Sequence, residues 1–269
     1  MTIVVGAASP DGIVLAADSR TTLSDGHRHR ISTDAANKVF DLNSRFGVAT
    51  YGLASIGPRT INGLMDEFIA TADGESCLDV EQFAHTHGSF FHERFIGEFG
   101  QADGSEGWPL GFVVAGHEAT GIGHVWDVGV PGPTVTQAKT NTANYGVLWR
   151  GQVDVIVRLI MGVDWRTLEA ADVAFDQQVR ESLARLEYIL LNPVTLQDAV
   201  DMASFLVRTT IDMQRFSDGT ALVQGLIPGC GGRTQMLAVK RSGVEWVSRR
   251  KLTGPSRPGW AEGGAELDA

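Results

Sequence analysis

Apolar and polar positions alternate along this chain in two different periods. Residues 2–9 read TIVVGAAS and residues 12–18 read GIVLAAD. Both runs are apolar and the first is β-branched; Pro10, Asp11 and Gly12 between them are turn formers, so the pair predicts a hairpin. A second hairpin is predicted from residues 38–41 and 46–51, turning at Asn43-Ser44. A third is predicted from 110–117 and 122–128, joined through Glu118 to Gly121, with another strand over 143–150. Strand patterns return at 234–240 and 243–247. Between them the period lengthens. Ile61, Leu64, Met65, Phe68 and Ile69 share one helical face, and 80–99 follows with Phe83, Phe90, Phe91 and Phe95. Helix is also predicted from 153–161, through most of 163–191, and from Leu196 to about Phe216 behind a Thr195 cap, with Asn192-Pro193 as the break. Strands, helices, strands, helices, strands is an α+β order of antiparallel sheets and helix layers.

Length and composition narrow this picture. The 269 residues are 43% hydrophobic and 20% charged, enough for a sizeable core. Residues 1–252 are expected to form one domain, and the Gly- and Pro-rich residues 253–269 a disordered tail. No apolar run reaches the length of a membrane span, and the N-terminus lacks a signal-peptide pattern, so a cytoplasmic protein is expected. Net charge of −10 disfavours nucleic acid as a partner. Cys77 and Cys230 fit neither a metal spacing nor a disulfide framework. His27 and His29 sit among Arg28 and Arg30 and read as a solvated loop, since arginines repel a cation. His85 and His92 share a helical face without His87 and read as packing or solvent-facing residues. Residues 225–232, GLIPGCGG, lack the order of a nucleotide-binding loop.

The chemistry concentrates near the start. Removal of Met1 would leave Thr2 with a hydroxyl and a free α-amine on one residue. That amine has a reference pKa of about 7.7 to 8.0, so it can serve as the base for its own hydroxyl. A lysine close by would favour the alkoxide and keep the amine neutral. A buried lysine needs a carboxylate, and a developing oxyanion needs a fixed N–H.

The run TIVVG…DGIVLAADSRTT, then ANKVF and FGVATYGLA, resembles the catalytic β-subunits of proteasomes and the bacterial proteasome-type peptidases, over residues 2 to about 61. The resemblance implies a four-layer αββα sandwich, the N-terminal nucleophile hydrolase fold. It implies Thr2 as nucleophile, Asp18 and Lys38 as its tuning pair, and Gly52 N–H in the oxyanion hole. Thr22 would line the substrate channel, with Arg20 and Thr50 near the first specificity pocket; Thr50 suggests a pocket without strong charge. Asp212 and Ser217 correspond to supporting residues near the end of the 196–216 helix. The chain departs from the family in a longer loop before Lys38 and in Gln152, where a supporting serine is expected. Implied with this are peptide or unfolded-protein substrates, a homo-oligomeric ring or spiral, no metal or cofactor, and any ATPase as a separate chain. Two other readings stay open: a small-molecule amidase on the same plan, and a non-catalytic assembly subunit.

Overall fold

The computed structural model describes residues 2–24, 29–71, 77–100, 109–132, 134–173, 176–185, 187–188, 194–219 and 227–249. Among them the chain is mixed α and β, with fourteen strands, mostly in antiparallel sheets, and six helices. The strands are β1 (Ile3–Ser9), β2 (Gly12–Ala17), β3 (Thr21–Ser24), β4 (His29–Thr33), β5 (Val39–Leu42), β6 (Phe46–Gly52), β7 (Ser55–Ile56), β8 (Arg59–Thr60), β9 (Leu110–His117), β10 (Gly123–Val130), β11 (Thr134–Thr140), β12 (Gly146–Gly151), β13 (Gln235–Lys240) and β14 (Gly243–Ser248). The helices are α1 (Ile61–Ile69), α2 (Val80–Phe99), α3 (Asp154–Met161), α4 (Trp165–Ala170), α5 (Gln177–Ala184) and α6 (Leu196–Phe216).

One sheet runs β12-β1-β2-β13-β14 and another β11-β10-β9-β6-β5. The predicted hairpins are present: β1 pairs β2, β5 pairs β6, and β9 pairs β10, each antiparallel. The two-residue strand period sorts the side chains. Ile3, Val5, Val14 and Ala16 pack with Ile156, Leu206 and Val207 of α3 and α6. Val4, Ile13 and Leu15 face the other way, onto Ala49, Val113 and Val125 of the second sheet. The second sheet's other face gives Val48, Phe112 and Val128 to Leu64, Phe68, Phe83 and Phe91 of α1 and α2. Each fully buried Leu, Ile or Phe contributes roughly 1.5–3 kcal/mol, so these three clusters hold the sheets in register.

Three predictions need correction. The 21–30 stretch, read as a loop, instead supplies β3 and the start of β4, because Thr21, Thr22, Ile31 and Thr33 are β-branched and pair as Thr21 with Thr33 and Thr22 with Ile31. His27 lies outside the described residues. Among the described residues of 163–191 the expected long helix is two short ones: Asp172 takes a positive φ of 52° between α4 and α5, and α5 buries none of its residues. A polar edge strand, β11, lies where the pattern showed no apolar alternation; its backbone pairs with β10 while none of its side chains is fully buried. The 253–269 tail lies outside the described residues.

Candidate active site

Thr2 sits just ahead of β1 and is buried, with 5% of its surface exposed. Its backbone is held from two sides. Its carbonyl accepts the Gln152 N–H at 2.7 Å, and the next N–H, of Ile3, donates to Asp18 Oδ1 at 3.1 Å. Gly151 takes φ of 87°, and a Cβ there would meet the Thr2 carbonyl oxygen at 2.0 Å, so only glycine allows this approach.

Asp18, beyond the end of β2, is fully buried. Lys38 Nζ donates to its Oδ1 at 2.8 Å, and its Oδ2 accepts the N–H groups of Arg20 (3.1 Å) and Gly231 (3.0 Å). A buried carboxylate with an ammonium and three backbone donors has its lone pairs satisfied, the condition under which a buried ion pair is tolerated. Lys38 is placed by Gln235 at the start of β13. The Gln235 carboxamide oxygen accepts the N–H of Lys38 at 2.9 Å and of Val39 at 3.3 Å, while its Nε2 donates to Ala36 O at 2.9 Å. Sequence reasoning missed Gln235; the available signal was a lone amide at the head of an apolar strand run.

Thr2, Arg20, Thr22, Lys38, Thr50 and Gly52 line one cavity of about 340 Å³. Arg20 enters it with its guanidinium engaged: Nε and Nη2 donate to the two oxygens of Asp34 at 2.6 and 2.9 Å, and Nη1 donates to Pro228 O. That fork holds the Asp34 carboxyl below the usual carboxylate range, chiefly through the hydrogen bond. At the β6 edge the Thr50 N–H donates to Lys38 O at 2.9 Å. Strand alternation turns the Gly52 N–H, two residues on, toward the same edge, just past the start of β5. Gly52 has φ of 90°, and a Cβ there would meet Pro109 O at 2.1 Å.

The structure does not bring Asp212 or Ser217 to this cavity. Asp212 lines a separate cavity with Asp201, Arg208 and Arg215. Ser217 closes a turn after α6, accepting the Gly219 N–H and donating to Gly219 O. The reason for Asp212 is angular: positions 212 and 214 differ by about 200° around a helix, so α6 turns Gln214 inward instead. Gln214 Nε2 donates to Gln152 Oε1 at 3.3 Å, and its Oε1 accepts the Cys230 N–H at 2.7 Å. Cys230 is buried, and burial pushes its thiol pKa well above the ordinary value. Among the α2 histidines, His87 is enclosed by Phe68, Phe83, Phe91 and Phe112, His92 accepts the Gly132 N–H, and His85 is exposed.

Among the described residues no helix is long and apolar enough to cross a membrane. No protein-family model matches the sequence, and no curated protein matches it. Among solved structures, the chain is similar to the Anbu (Gly-1) mutant from Hyphomicrobium sp. strain MC1, with a TM-score of 0.57 and 12% sequence identity, over 92% of this chain and 85% of that one. At that identity the likeness is one of fold.

Proposed function

We propose that this chain is an N-terminal threonine peptidase with the four-layer αββα fold of N-terminal nucleophile hydrolases. One observation carries the reading: Thr2 and Gly52 share a cavity with Lys38, whose ammonium is paired with the buried Asp18. The fold likeness to Anbu, a bacterial proteasome-like protein, supports it, as do the three apolar clusters, helix to sheet, sheet to sheet and sheet to helix.

The reaction needs Met1 removed. The freed α-amine then takes the Thr2 hydroxyl proton while Oγ1 bonds to the substrate carbonyl carbon. The Gly52 N–H holds the resulting oxyanion. Collapse breaks the C–N bond, the amine proton passes to the leaving nitrogen, and water hydrolyses the remaining ester to restore Thr2. Lys38, compensated by Asp18, favours the alkoxide. Arg20, Thr22 and Thr50 border the channel for a peptide or unfolded segment. The working form is a cytoplasmic homo-oligomer that encloses its sites, with any unfoldase a separate ATPase.

Intact mass spectrometry tests this before and after an electrophile selective for N-terminal threonine. The expected result is a species without Met1 that gains one adduct, absent in Thr2→Ala. Retained Met1 without adduct would favour a non-catalytic assembly subunit. Asp212 and Ser217 lying outside the cavity lining, and Gln152 in the place of a serine, are the observations on that side. Adduct formation without cleavage of any member of a peptide library, but with turnover of simple amides, would favour the amidase.

A further inference from the structure

Tyr51 immediately precedes Gly52 and belongs to the inter-sheet cluster. Its ring lies across β9 at Gly111, where a Cβ would meet Tyr51 Cζ at 2.2 Å; the absent side chain is the ring's seat. Its hydroxyl donates to Asp127 Oδ1 of β10 at 3.0 Å. The other Asp127 oxygen accepts Arg150 Nε at 2.7 Å and Nη2 at 2.6 Å. Arg150 belongs to β12 in the other sheet and also donates from Nη1 to Trp149 O at 2.8 Å. Gly151 and Gln152, the next two residues, are those that receive and bond the Thr2 carbonyl. Burial and the Asp127 charge both push the Tyr51 hydroxyl pKa upward, so it stays a donor throughout the working pH range.

We propose that Tyr51, Asp127 and Arg150 are positioning residues that set the peptide between Tyr51 and Gly52, and so aim the oxyanion donor at Thr2; this rests on the peptidase reading. The N–H of Gly52 belongs to the peptide plane that follows the Tyr51 Cα. Fixing the ring at Gly111 and the hydroxyl at Asp127 fixes that Cα, and the antiparallel pairing of Tyr51 with Gly111 and of Gly52 with Leu110 restrains the plane between them. Arg150 ties the same anchor to the strand end that holds Thr2, so nucleophile and donor are referenced to one buried carboxylate. Oxyanion stabilisation depends on donors held in place before reaction, which is what this arrangement supplies.

The test separates positioning from general stability. Protein labelled with 13C-carbonyl tyrosine and phenylalanine and with 15N-glycine reports only glycines that follow Tyr or Phe, so Gly52 stays visible when residue 51 is Phe. The sequence holds four, Gly47, Gly52, Gly100 and Gly146, and Gly146 in β12 is the internal control. In Tyr51→Phe the ring keeps its seat and only the hydroxyl is lost. The expected result is a displaced or broadened Gly52 signal with Gly146 in place, and kcat lowered roughly tenfold with KM unchanged. Asp127→Asn, which keeps an acceptor for the hydroxyl but loses the charge facing Arg150, is expected to give a smaller change of the same kind. Gly111→Ala, which unseats the ring, is expected to displace Gly52 as well. An unchanged Gly52 signal in Tyr51→Phe and Asp127→Asn, or equal displacement of both signals, would overturn the proposal. Because the signals are read without turnover, an inert wild-type protein would refute the peptidase reading and leave the positioning question decided by the spectra.

Discussion

At the scale of single residues, Lys38 and Asp18 carry separable contributions to folding and to reactivity. Asp18 is fully buried, and Lys38→Ala would leave its charge without the ammonium it faces. Breaking a buried pair from one side costs about 3–5 kcal/mol, and that loss is expected in denaturant unfolding of Lys38→Ala. Adding Asp18→Asn removes the uncompensated charge, so the double variant is expected to recover part of the stability. Labelling by the threonine-directed electrophile is expected to stay at least about 100-fold slower in both. Recovery of labelling together with stability would show that the pair is only structural. Gly52→Ala is a second residue-scale case. Its Cβ would strike the Pro109 carbonyl at a φ that L side chains rarely adopt, so a loss of at least about 2 kcal/mol is expected in thermal unfolding.

At the scale of elements, α2 owes a pH dependence to His87. Burial lowers its pKa from 6.5 to about 3. The unfolded chain therefore binds a proton between those values that the folded chain does not. Stability from this group is whole above pH 6.5 and declines as pH falls toward 3, by about 1.4 kcal/mol per pH unit. Urea unfolding between pH 7 and 4.5 is expected to show this slope, flattened in His87→Leu. An identical slope in the variant would place the dependence on other groups. The same helix illustrates how a face is assigned: His87 lies on the apolar side with Phe83 and Phe91, while His85, two residues away, is exposed.

At the scale of the whole molecule, the peptidase reading predicts assembly. An unenclosed protease of broad reach would attack folded neighbours, so the native mass is expected to be a multiple of the 28.9 kDa chain in native mass spectrometry. A monomer at micromolar concentration that still turns over peptides would separate the chemistry from the compartment. The two large sheets also show how one cavity draws on distant segments. Thr2 leads into β1 of one sheet and Gly52 ends β6 of the other, and the Tyr51–Asp127–Arg150 chain crosses between them.

The amino-acid sequence by itself determined the β1–β2, β5–β6 and β9–β10 hairpins and the apolar faces of α1, α2 and α6, and it singled out Thr2, Asp18, Lys38 and Gly52 as candidates. These follow from local periods, from turn residues and from a short run of motifs within the first 61 residues. Only the tertiary structure decided what holds that set in place. Gln235 reaches Lys38 across 197 positions, and Tyr51 reaches Asp127 across 76. A period of 2 or 3.6 says which face a residue occupies, not which residue meets it there. For that reason the sequence placed Asp212 near the site while the turn of α6 presents Gln214, and a polar edge strand such as β11, held by backbone bonds, left no trace in the apolar pattern.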